Sequence, residues 1–259
     1  QQAPTVIGVI ILLHGYLAVD GICAVIRAPW CEPVPDNGTW FGTPSFHLYV
    51  ALTSMVASAA WGVGAAVLLP RLAASWPDGQ RSDAASPAFS PAALGRCLAV
   101  ALLLAAVRSL ASAPSWYLSI RDGGFGPSSP YWGFLSTVEG LYRLASSVAL
   151  APFTYLSIVA IVDDGLPIVP AFVRAWAAIT GWPSSVAVPL WLLELLNPGT
   201  LLDILFLTVP MRLVAPVLMA YPAANWLVRF GDAVAVVFML ALALGLWRDV
   251  RGEATEATE

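Results

Sequence analysis

Apolar runs about as long as a bilayer is thick recur along this chain, and they constrain its fold before any motif does. Phe230 to Trp247 is the clearest, closing at Arg248 and Arg251. A helix needs about 20 mostly apolar residues to cross a hydrocarbon core of roughly 30 Å. Comparable runs span Val6 to Ile26, Phe46 to Leu69 (closed by Pro70), Ala92 to Leu110 (with an extension to Tyr117 past Pro114) and Leu141 to Val162, which ends at Asp163 and Asp164. Only 11% of the 259 residues are charged, against roughly 25% in an average soluble domain. The expected fold class is therefore all-α: a polytopic transmembrane helical bundle.

The second half is less regular. GLPIVPAFVRAWAAITGWPSS, from Gly165, is broken by proline and by Arg174, and suits an interfacial helix with Trp176 and Trp182 at headgroup level. Residues 185–209 are long enough to cross but carry Asn-Pro-Gly at 197–199, and residues 211–227 form a further short apolar piece. The count is six to eight membrane segments, with a broken helix near 197–199. The whole chain, 1–259, reads as one integral membrane domain with a polar linker at 73–91, rich in Ser, Pro and Asp, and a disordered tail at 252–259. Arg71, Arg81, Arg96, Arg248 and Arg251 favour one cytoplasmic side. The loop PWCEPVPDNGTWFGTPS, with four prolines and two glycines, then faces outward. Its Asn37-Gly38-Thr39 is a glycosylation acceptor only in a eukaryotic secretory compartment. No basic residue precedes Val6, so the first run is expected to be a retained span.

Several kinds of chemistry lack material. There is no lysine, which excludes Schiff-base chemistry with retinal or pyridoxal phosphate. A net charge of -4 offers no basic surface, so nucleic acid is not an expected partner. His14, His47, Cys23, Cys31 and Cys97 contain no paired metal-ligand spacing, so no metal and no cofactor are expected. Two histidines can ligate haem, but these sit at different expected depths. No phosphate-binding loop, zinc-protease helix or nucleophile elbow is present.

Ser54, Ser58, Gly62 and Ala66 recur every four residues and form a narrow strip that lets another helix approach closely, inside the bundle or from a partner subunit. Of the eleven tryptophans, Trp30, Trp40, Trp76, Trp132, Trp182 and Trp247 fall where interface anchors are expected. Trp61, Trp116, Trp191 and Trp226 are candidate walls of an internal pocket, beside the commoner reading of buried structural tryptophan.

Charges within apolar runs are more informative, since each costs about 2.5 to 3.5 kcal/mol at mid-bilayer on insertion scales. Glu139–Arg143 and Arg229–Asp232 have the spacing of helical ion pairs, and a structural role accounts for both. Asp20, Arg108, Glu194, Asp203 and Arg212 have no such partner. Arg108 keeps its proton and is expected to attract Asp20, Glu194 or Asp203.

In WLLELLNPGTLLDILF (191–206), an unbroken helix turns about 900° between Glu194 and Asp203 and puts them on opposite faces. A break at Asn197-Pro198-Gly199 lets both approach one cavity, whereas a surface turn leaves them as wet flanks. The candidate site is Glu194 and Asp203 as catalytic proton donor and acceptor, with Asn197, Trp191, Trp226, Arg108 and Asp20 binding substrate.

Three functions fit. The first is an enzyme or carrier for a lipid-like or isoprenoid molecule. The second is a non-catalytic subunit of a larger membrane assembly, and the third an ion-coupled transporter, for which no internal repeat is found. Expected partners are membrane lipids, a lipophilic small molecule and membrane-protein subunits.

Overall fold

The computed structural model describes residue 8 and residues 44–75, 90–122, 131–208 and 222–256. Every regular element among them is helical: α1 (Pro44–Ser75), α2 (Pro91–Ser109), a 3₁₀ turn (Leu110–Ser112), α3 (Ala113–Asp122), α4 (Trp132–Asp163), α5 (Ile168–Gly181), a π turn (Pro183–Ala187), α6 (Val188–Leu195), α7 (Pro198–Thr208) and α8 (Pro222–Glu256). Among the described residues, four helical stretches are long and apolar enough to cross a membrane: Ser54–Ala74, Pro91–Ser109, Gly133–Asp163 and Phe230–Arg251. The chain is thus read as an integral membrane protein. The runs expected at 6–26 and 211–227 lie mostly outside the described residues, as does the 73–91 linker.

α4 is the hub, touching α1, α2, α5, α6, α7 and α8. Leu156, Ile158, Val159, Ala160 and Ile161 are fully buried, so this stretch is covered on all sides, as an all-round apolar helix requires. The bundle's outside is also apolar: Phe134, Val169, Leu196 and Phe238 are each more than 60% exposed. A surface of this kind suits lipid rather than water. The small-residue strip serves packing within the chain. A Cβ on Gly62 would stand 2.9 Å from the Ala101 methyl and 3.0 Å from the Cys97 carbonyl oxygen, so α1 and α2 meet backbone to backbone there.

Proline placement corrects two expectations. Pro70 does not close its helix; α1 runs through it to Ser75. One missing N–H costs little one turn from the end, while buried Leu68, Leu69 and Ala73 hold the turn in place. α4 likewise passes through Pro152. Residues 185–209 are interrupted at Asn197-Pro198-Gly199, as expected. Pro183 opens a π turn, and Pro198, lacking an N–H, starts a new helix. The extension past Pro114 is also a separate helix, because a 3₁₀ turn precedes it.

Hydrogen bonds gather five segments at one end of the bundle. Arg248 grips Asp163 with Nη2 at 2.9 Å and Nε at 3.4 Å. Asp164 accepts from Arg251, from Arg174 Nη1 at 3.4 Å and from Trp247 Nε1 at 3.2 Å. Arg96 Nη1 donates to the Gly165 and Leu166 carbonyls at 2.8 and 3.2 Å. Gly165, at φ 69°, makes the reversal from α4 into α5, a backbone state that glycine enters without strain. Trp247, expected as an interface anchor, is buried at this end.

Candidate functional site

The Asn-Pro-Gly break explains itself residue by residue. α6 ends at Leu195, and the N–H groups of Leu196 and Asn197 return to the Leu192 and Glu194 carbonyls. Asn197 then caps the next helix: its side-chain oxygen accepts the Gly199 N–H at 3.0 Å, and its carbonyl accepts from Leu201 at 2.9 Å. Pro198 takes the first helical position, where its missing N–H costs nothing. Gly199 is small because Asp232 of α8 leans on it; a Cβ there would lie 2.8 Å from Asp232 Oδ1.

These caps assemble a polar centre. Glu194, Asn197 and Thr200 are each at most 7% exposed, whereas Leu192, Leu196 and Leu201 on the same segment are 48–67% exposed. Polar side chains face inward and leucines outward, the reverse of a wet surface turn. Thr200 Oγ1 donates to Glu194 Oε1 at 3.3 Å, and the Asn197 side chain lies beside that carboxylate. The Gly199 N–H is shared with Asp232 Oδ1 at 3.3 Å, so a second carboxylate sits at the positive end of α7. Arg108 and Asp232 both lie within electrostatic range of Glu194. Three buried donors have no hydrogen-bond partner among the described residues: Arg248 Nη1 at the arginine end, and at this centre Arg108 Nε and, three residues before Glu194 on α6, Trp191 Nε1.

Counting along helices sets the depth. Asp232 is about 24 Å along α8 from Arg248, and Arg108 about 18 Å along α2 from Arg96. The centre therefore lies toward the end of the bundle opposite the arginine cluster, inside the reach of a hydrocarbon core of roughly 30 Å. Since α5 leaves the arginine end and α6 arrives at Glu194, the two helices and their π turn together run from one end to the other.

Of the candidate residues read from the sequence, the structure brings together Glu194, Asn197 and Arg108, with Trp191 on the same helix as Glu194. Asp20 lies outside the described residues, and so do the side chains of Asp203 on α7 and Trp226 on α8. Trp116, a candidate pocket wall, is 44% exposed; α3 is a short helix beyond the end of α2 and does not line the interior. Trp61 is partly buried and packs edge-on against Tyr155, with ring centroids 5.6 Å apart. Asp232 and Thr200 escaped the sequence reading. Asp232 was accounted for by Arg229, whose side chain lies outside the described residues, and Thr200 carries no charge to draw notice. The signal for Asp232 was Gly199 itself, a residue whose missing side chain marks a close approach.

Glu139 and Arg143 form the expected helical pair. It is completed by Ser112 Oγ at 2.7 Å and Ser115 Oγ at 3.0 Å, which tie the α2–α3 bend to α4. This cluster is internally satisfied and has the character of a structural knot.

The centre thus offers a buried carboxyl that can exchange a proton, two donors able to receive an acceptor oxygen, and a helix N-terminus already occupied by a carboxylate. The chain matches no protein-family model, no curated protein and no solved structure.

Proposed function

We propose that this is a six-pass membrane protein that holds the polar end of a lipid-like molecule at the Glu194 centre, as a carrier or an enzyme. The six passes are the four long helices, the run at 6–26 and the broken passage through α5 and α6. The observation that carries the reading is the pairing of a buried carboxyl with two buried donors, Arg108 Nε and Trp191 Nε1, that meet no acceptor among the described residues. Buried polar atoms are nearly always satisfied, and an oxygen-bearing headgroup would satisfy these. The exposed leucines of α6 and α7 suit the apolar remainder, and Glu194 is the group that would exchange a proton with it.

The test is the mass of what accompanies the purified protein. Wild-type protein released from mild detergent in the mass spectrometer should carry a lipid-like molecule at near-stoichiometric level. Glu194→Gln and Arg108→Gln should lose it with helix content unchanged. Equal retention by all three sinks the proposal.

Ion-coupled transport is the second reading, favoured by the carboxylates flanking a helix break, a place where membrane proteins bind ions. Flux driven by an imposed ion gradient in vesicles, abolished in Glu194→Gln, would select it. A subunit role loses one of its supports, since Gly62 and Ala66 of the strip are buried against the chain itself.

A further inference from the structure

Arg108 combines a fastened backbone with an unbonded tip. It continues the buried face of α2, following Cys97, Ala101 and Leu104 at helical spacing, and stands in the last turn before the 3₁₀ bend. Both flanks of that turn are held by α4. On one side, Tyr142 Oη donates to the Val107 carbonyl at 3.3 Å. On the other, Ser112 Oγ donates to Glu139 Oε1 at 2.7 Å and accepts from Arg143 Nη2 at 2.7 Å, while Ser115 Oγ donates to Glu139 Oε2 at 3.0 Å. Between these fastenings Arg108 Nε is buried and meets no acceptor among the described residues.

Stability alone does not call for a charged fastening here. Ion pairs taken out of water can often be replaced by apolar side chains of similar volume without loss, and the Glu139 side chain is only 16% exposed. What directional hydrogen bonds add is geometry: they set where α2 ends and how the chain turns into α3. Helical side chains lean toward their helix's N-terminus, so Arg108 leans from the bend back into the bundle, where Glu194 lies within electrostatic range. Ser112 is about 6 Å further along the chain path, roughly one helical turn. A donor on a base held this firmly has little freedom left to lose when an acceptor arrives.

We propose that Glu139 and Arg143 are positioning residues for the Glu194 centre: through Ser112 they fix the end of α2 so that Arg108 presents its Nε–H to an acceptor oxygen of the ligand. The inference rests on the reading of that centre as a binding site, and it gives the α2–α4 knot a second role beside its structural one. Neither Glu139 nor Arg143 touches the ligand in this account; both act through Arg108.

The experiment follows the Nε–H signals of isotope-labelled arginine by magnetic resonance, in the full chain held in lipid nanodiscs. The signal that disappears in Arg108→Lys belongs to Arg108, and the one that disappears in Arg96→Lys serves as a reference at the far end. Glu139→Leu and the milder Ser112→Ala should each shift or broaden the Arg108 signal and leave the Arg96 signal in place; Arg143, 42% exposed, can turn outward when its partner is gone. Glu139→Gln, whose amide oxygen still accepts from Ser112, should give a smaller shift. Gly165→Ala, which destabilises the chain at a remote turn, should leave the Arg108 signal unmoved, so that a general loss of stability is told apart from positioning. In mass analysis of the released protein, Glu139→Leu should lose the accompanying lipid-like molecule to the same extent as Arg108→Gln. An unmoved Arg108 signal in folded Glu139→Leu and Ser112→Ala proteins overturns the proposal, as does full retention by Glu139→Leu of a molecule that Arg108→Gln loses. A wild type that carries no such molecule sinks the reading of the centre instead, and the Arg108 signal still decides the positioning.

Discussion

The two ends of the bundle handle buried charge in opposite ways. At the arginine end, both carboxylates are closed by guanidinium groups: Asp163 takes two N–H bonds from Arg248, whose Nη1 is the one buried donor there left unbonded among the described residues, and Asp164 is bonded by Arg174, Arg251 and Trp247. At the other end, Glu194 accepts from a neutral hydroxyl, Thr200, with Asn197 beside it, while Arg108 stands nearby with its Nε unbonded among the described residues. Charge closed by charge is a fastening. Charge held by a neutral donor beside an idle cation is an arrangement that can still change partners, and it is the end at which a binding site is economical.

The comparison is broken most forcefully at Asp163. Asp163→Ala strands Arg248, whose side chain is 13% exposed, and should lower stability by about 3 to 5 kcal/mol, the usual cost of removing one member of a buried pair; thermal melting in detergent measures it. Gly62→Leu comes next. Overpacking of the α1–α2 contact should cost about 1 to 3 kcal/mol or more, read in the same melt, because Ala101 and the Cys97 backbone have no room to yield. Gly165→Ala should cost about 1 to 2 kcal/mol through its positive φ, and proteolysis should then open the α4–α5 reversal first. Asn197→Ala removes the cap of α7 for about 1 kcal/mol, detectable as faster amide exchange at Gly199 and Thr200. Glu194→Gln should be nearly neutral in melting, since the amide oxygen still accepts from Thr200. A large loss there would make Glu194 a structural group like Asp163 and erase the distinction.

Much of this was legible in the sequence. Long apolar runs gave the helices that cross, arginine bias gave the shared end of Arg96, Arg248 and Arg251, and Glu139–Arg143 followed from spacing on one helix. Asn197-Pro198-Gly199 announced the break, because cap, first-turn proline and glycine are each local in cause. What remained hidden depended on contacts between distant segments. Asp232 reaches Gly199 from 33 residues away, and Arg96 reaches the Gly165 turn from 69; neither leaves a periodicity. The prolines misled in the other direction. A membrane bundle lets Pro70 and Pro152 stay within helices that packing holds, a choice made by tertiary contacts rather than by local preference.

The most direct test is a density map of the protein in a lipid nanodisc, read at Glu194, Arg108 and Trp191. The account predicts elongated non-protein density between the leucine face of α6 and α7 and the buried donors, with its polar end within hydrogen-bond distance of Arg108 Nε or Trp191 Nε1. Side chains closing directly on those donors with no such density, or a neighbouring subunit seated there, would contradict it.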